Sequence, residues 1–141
     1  LFPFSVAFGH LFAPKRAKTH FSGGAGYVFN TPVLTLMNPS LQETCGEWYV
    51  PAMEDVQMSR CLQQLNVPLN DSHEFNLHRF YPLSFTSLYK SEFPQWYADY
   101  NTLPIYDGYD CCSSNAISFH YTPPETMNLI DWARYTNIQN D

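Results

Sequence analysis

The sequence predicts an α/β fold built as one unit. Three observations carry this: apolar residues at helical spacing in stretches that open on proline, short aromatic or β-branched runs between turn residues, and no repeat, low-complexity tract or linker. A chain of 141 residues has room for one domain with a real core, and the same length also suits a piece of a larger one.

Taken in order, Phe4 to Phe8 alternates weakly and predicts a short strand, and Gly9 to His20 a loop carrying a small basic cluster. In Ser22-Gly23-Gly24-Ala25-Gly26-Tyr27, three glycines within four positions bring the backbone close to something, and Tyr27-Val28-Phe29 reads as a strand beside that turn. Thr31 as N-cap and Pro32 behind it begin a helix that Pro39 should stop within about two turns. Pro51 opens a second helix through Leu65, on which Val56, Cys61, Leu62 and Leu65 are the apolar positions. Residues 66–115, broken by Pro68, Pro82, Pro94 and Pro104, are expected to be mostly irregular, as a functional loop or an irregular packed layer. Ala116 to Tyr121 has the composition of a buried strand with a polar tip. Pro123-Pro124 starts a final helix: Glu125 suits its positive end, and Met127, Ile130 and Ala133 form a stripe.

Composition narrows the function. A formal net charge of -6 with seven Lys and Arg argues against a nucleic-acid groove. The 17% aromatic content fits a loop-rich core by default, and a surface where rings stack on sugars as the sharper reading. No apolar run approaches the ~20 residues a spanning helix needs, and no signal-like segment opens the chain, so targeting information is expected to be absent or removed. Four cysteines, Cys45, Cys61, Cys111 and Cys112, lack the CxxC spacing of a structural zinc site. Two disulfides, or one disulfide plus links to chain outside this sequence, suit a secretory compartment, as does the sequon Asn70-Asp71-Ser72.

Few residues offer chemistry. Glu54-Asp55 opens the second helix, where the helix dipole alone favours carboxylates; the alternative is that one of them removes a proton from a hydroxyl. His120, in Ser118-Phe119-His120-Tyr121, is by default a core histidine and alternatively a metal ligand. His10, His20, His73 and His78 show no HExxH or similar spacing. The glycine turn lacks the Lys-Ser/Thr ending of a P-loop, no Gly-x-Ser-x-Gly elbow is present, and Asp107-Gly108-Tyr109-Asp110 has the wrong spacing for Asp-x-Asp.

In this order, Ser22 to Tyr27, Glu54-Asp55-Val56, Arg60-Cys61-Leu62, Cys111-Cys112 and Ser118-Phe119-His120-Tyr121 resemble the C-terminal part of the inverting β-1,3-glycosyltransferases of the GT-A fold, most closely their core 1 branch. The resemblance runs from about Phe8 onward. It implies a C-terminal half of a GT-A domain in which Gly23, Gly24, Ala25, Gly26 and Tyr27 lie beside donor sugar and acceptor. It carries the catalytic base onto Asp55 with Glu54 as companion, and a metal ligand onto His120. Trp96-Tyr97 and Tyr100-Asn101 resemble the acceptor-side aromatic segment. A Cys45–Cys61 disulfide is implied; Cys111 and Cys112 pair with each other or with partners elsewhere. Three departures touch substrate detail: Ser59 for Gly, His73 for Arg and Tyr81 for His.

The family reading implies galactose transfer from UDP-galactose to the 3-hydroxyl of N-acetylgalactosamine on Ser or Thr of glycoproteins, with Mn2+. It implies a type II Golgi luminal protein, and it allows a homodimer. The nucleotide-binding half with its Asp-x-Asp, and the membrane anchor, would precede residue 1, so this part alone is expected to be inactive. The rival readings are a chaperone-like or glycan-binding relative without catalysis, and a Fringe-like enzyme using UDP-N-acetylglucosamine.

Overall fold

The computed structural model describes residues 4–43, 45 and 53–138, without the side chains of 40–43 and 134–138. Strand β1 (Ala7–Gly9) is the centre of a three-stranded sheet, antiparallel to β4 (Tyr27–Phe29) and parallel to β5 (Leu69–Asp71). Phe8 and Val28 are opposite each other on the exposed face, while Ala7 is buried on the other. Strands β2 (Leu11–Phe12) and β3 (His20–Phe21) form a hairpin that continues from β1. Helix α1 (Thr31–Glu43) and helix α2 (Glu54–Gln64) cover the buried face, so that Ala7, Phe21, Val33, Met37, Cys61, Leu62 and Val67 make one core.

The segment expected to be irregular holds a second core. It is cut into pieces of two to six residues: β5, a hairpin of β6 (His73–Glu74) and β7 (Leu77–His78), β8 (Phe80–Tyr81), α3 (Phe85–Tyr89) and α4 (Gln95–Tyr100). The prolines punctuate it as their chemistry requires: Pro68 precedes β5, Pro82 follows β8 and Pro94 caps α4 with an extended backbone. Phe12, Tyr81, Leu83, Leu88, Tyr97 and Cys111 pack together there. Strand β9 (Ser118–Phe119) pairs in parallel with β8, and α5 (Pro124–Ile138) follows.

Several expectations are corrected. The first helix does not stop at Pro39 but continues to Glu43. An interior proline removes one hydrogen bond at ~3 kcal/mol, and full burial of Val33 and Met37 offsets it. The first strand lies later, at Ala7–Gly9, and Leu11–Phe12 is a strand within the expected loop. The strand expected over Ala116 to Tyr121 shrinks to two half-buried residues, because the chain turns at His120 and Tyr121, the latter with φ 52°. The second helix starts at Glu54 behind Met53, and Pro51 lies outside the described residues. Both cysteine pairs are closed within the chain, Cys45–Cys61 and Cys111–Cys112.

Candidate functional site

The glycine turn follows β3. Its Gly26 N–H donates to the Gly23 carbonyl at 2.9 Å and Gly26 has φ 81°, a backbone a side chain resists. Two tethers hold it: the Ser22 hydroxyl accepts the Ala25 N–H at 3.4 Å, and the Ser118 hydroxyl donates to the Ala25 carbonyl. Behind it, the buried Ser59 hydroxyl of α2 accepts the Phe21 N–H at 2.9 Å. Ser59 thus satisfies a backbone donor that glycine would leave bare.

Missing Cβ atoms at Gly23 and Gly24 make room for two side chains. A Cβ on Gly23 would lie 2.9 Å from the Asp55 Cβ, and one on Gly24 would lie 2.1 Å from the His120 Nδ1 and Cε1. Asp55 thus rests on Gly23 and His120 on Gly24, although they come from opposite ends of the chain. The Gly23 N–H donates to Asp55 Oδ2 at 3.0 Å, and Oδ1 accepts the Val56 N–H at 2.8 Å. Each carboxylate oxygen keeps a further acceptor position. His120 is held by its own N–H, which donates to the Tyr81 carbonyl at 2.9 Å, and its ring stacks on Tyr121 at 3.6 Å.

Glu54 has the Tyr27 hydroxyl as partner, which donates to its carboxylate. Partial burial, with Glu54 beside it, pushes the Tyr27 phenol well above its ordinary range. Beside His120, a groove of about 370 Å3 runs between the β9 turn and α5, lined by Ile117, Ser118, Phe119, Thr122, Met127 and Ile130. The two aromatic residues carried onto an acceptor surface part ways. Trp96 is 41% exposed and packs edge-on to Phe12, whereas Tyr97 is 1% exposed in the second core, where burial pushes its phenol up to about 12. Tyr81 is buried, stacks on Phe119 at 4.8 Å and accepts the Ser113 N–H at 2.8 Å, bracing the Cys111–Cys112 loop against β9. The sequon asparagine is also engaged: Asn70 Nδ2 donates to the Ala7 carbonyl at 3.1 Å.

Sequence reasoning passed over a second polar cluster. His10, Asp71 and His78 each offer a ligand atom within 4.8 Å of the other two, the one such group of three or more among the described residues. His10 Nδ1 lies 3.0 Å from the Phe80 carbonyl, His78 Nδ1 lies 3.3 Å from Asp71 Oδ1, and the Thr102 hydroxyl donates to Asp71 Oδ2 at 2.5 Å. Burial, with His78 beside it, pulls His10 down to about 3; burial alone would raise Asp71, but hydrogen bonds from His78 and Thr102 outweigh that and hold it below the usual carboxylate range. No spacing rule finds this set. The nearest signal was the β6–β7 hairpin, which returns the chain so that His78 meets Asp71.

No family model matches the chain. It is similar to the Xenopus laevis glycoprotein-N-acetylgalactosamine 3-beta-galactosyltransferase 1, with 33% identity over 135 residues, 92% of this chain. The chain spans 37% of that relative's length. The likeness supports a related galactosyltransferase and, with mixed sheets and helices, a glycosyltransferase-like α/β fold. A metal cofactor and a secretory location are compatible with it, and no helix among the described residues is long and apolar enough to cross a membrane.

Proposed function

We propose that this relative of a galactosyltransferase forms the acceptor-side, catalytic part of an inverting β-1,3-galactosyltransferase of the GT-A fold. Its donor is UDP-galactose and its acceptor the 3-hydroxyl of N-acetylgalactosamine on Ser or Thr of a glycoprotein, in the Golgi lumen of a type II membrane protein. The observation that carries the reading is the seating of Asp55 and His120 on adjacent glycines, Gly23 and Gly24. A carboxylate able to serve as general base and an imidazole able to hold a cation then rest on neighbouring residues of one turn.

In this mechanism an Asp55 oxygen takes the acceptor hydroxyl proton as the hydroxyl oxygen bonds to the anomeric carbon, and UDP departs from the opposite face. One base suffices, because the leaving diphosphate needs no proton. The Gly23 N–H holds the carboxylate in place. Gly24 leaves the space that His120 fills, and Trp96 offers a ring face at the surface. Manganese, when bound, would neutralise charge on the diphosphate. His120 fits as one ligand only, since among the described residues it belongs to no three-ligand group; no step here is therefore derived through the metal.

The test is Asp55→Asn in the full-length protein. Loss of a general base should cut turnover on the order of 10²-fold or more at unchanged folding; turnover within a few-fold of wild type sinks the mechanism. A second reading has its own support: both Asp55 oxygens already accept backbone N–H groups, as a purely structural carboxylate in a helix's first turn does. A non-catalytic chaperone-like or glycan-binding relative would then bind glycan without consuming UDP-galactose. Donor competition with UDP-N-acetylglucosamine separates the Fringe-like alternative.

A further inference from the structure

We propose that His10, His78 and the Asn101 side chain, with Asp71 holding His78 from behind, form a buried structural site for a divalent transition-metal ion of the zinc class, separate from Asp55 and His120. Four side-chain atoms at this place are buried without a hydrogen-bond partner: His10 Nε2, His78 Nε2, Asn101 Nδ2 and Asn101 Oδ1. Such atoms are rare in folded proteins, and four together call for an occupant.

Proton bookkeeping says what kind. A carbonyl only accepts, so the contact of His10 Nδ1 with the Phe80 carbonyl puts the proton on Nδ1 and leaves a lone pair on Nε2. The contact of His78 Nδ1 with the Asp71 carboxylate does the same for His78. Two lone pairs cannot bond each other; they need a hydrogen-bond donor or an electron-pair acceptor, and the Asn101 Nδ2 donor makes a hydrogen bond to neither. Metal-binding histidines characteristically donate their other ring N–H to a carbonyl or carboxylate, which is the arrangement here.

The choice between a cation and a water follows from size and charge. His78 and Asn101 line a cavity of only about 10 Å3, at the lower limit for one water, while His10 and Asp71 lie outside its lining. A bare cation is smaller, and Asp71 supplies a compensating negative charge. Two imidazoles with oxygen donors suit zinc rather than calcium or magnesium, which take oxygen ligands. Tetrahedral bonds of ~2.1 Å set ligand atoms about 3.4 Å apart. His10, Asp71 and His78 already bring one candidate ligand atom each within 4.8 Å of the others, so the ion draws its donors in by side-chain rotation. His10 joins β1 to β2, Asp71 ends β5, His78 ends β7 and Asn101 follows α4, so one ion would tie four chain segments together.

The test uses the full-length protein with its disulfides intact and zinc as the probe. After zinc loading and gel filtration, metal analysis should find one zinc per chain that survives in His120→Ala, and cobalt loading should give a tetrahedral visible band. Chelation should lower the thermal midpoint, and His10→Phe and His78→Phe, checked for native circular dichroism, should lose the ion. Absence of stoichiometric zinc and of the cobalt band in the wild-type protein overturns the proposal without need of a variant. So does full zinc retention in the folded His78→Phe protein.

Discussion

The glycine turn and the histidine cluster are both polar sites, yet they are assembled in opposite ways. At Gly23 and Gly24 the side chains are absent, and Asp55 and His120 fill the vacated space at a half-exposed surface, where backbone N–H groups hold the Asp55 carboxylate and the Tyr81 carbonyl holds the His120 main chain. At His10 and His78 the side chains are buried and each keeps an unpartnered nitrogen. A site made by omission is open to solvent and substrate. One made by burial is closed, so it serves the fold or a small ion.

The largest effect that can break this contrast is at Gly24. A methyl group there overlaps the His120 ring, so Gly24→Ala in the full-length protein should depress turnover at least as much as His120→Ala, on the order of 10²-fold. Gly23→Ala, with 2.9 Å to the Asp55 Cβ, should do less. If steady-state kinetics find Gly24→Ala near wild type, the seating of His120 has no catalytic meaning.

Next is Ser59→Ala, which strips the buried Phe21 N–H of its acceptor. Urea unfolding should record a loss of about 1–3 kcal/mol. A neutral result means that the turn does not depend on α2 for its position.

The most gradual effect concerns the buried cluster, with chelator present. His10 is held near 3 in the folded protein against about 6.5 unfolded, so the unfolded chain binds more protons between those values. Stability from this group is complete above about pH 6.5 and drains away as pH falls towards 3. Asp71, also depressed, adds a loss in the same direction below its ordinary range near 3.8. Urea unfolding from pH 7 to 4 should show a slope of up to about 1.4 kcal/mol per pH unit per proton. The slope should flatten in His10→Phe; an equal slope there removes His10 as its source.

The two sites also differ in how far the sequence announced them. Gly23, Gly24, Asp55 and His120 stand in contiguous motifs, and glycine is the residue that a close approach demands. The mixed α/β class and the three longer helices were readable from prolines and apolar spacing. The second core was not, because its strands and helices are too short to show a period. The buried fate of Tyr97 beside exposed Trp96 was equally hidden, since helical phase in a six-residue helix cannot be read from adjacent aromatics. His10, Asp71 and His78 meet only through tertiary packing, with no common motif.

Parallel pairing of β8 with β9 has a consequence for how the molecule comes into being. Phe80 and Tyr81 must wait for Ser118 and Phe119, and no local turn can bring these strands together. Until that loop closes, His120 has no Tyr81 carbonyl to hold it and two large rings lie uncovered. During synthesis the half of the cleft that His120 supplies is therefore completed late, and the interval before closure is when a nascent chain most needs a chaperone.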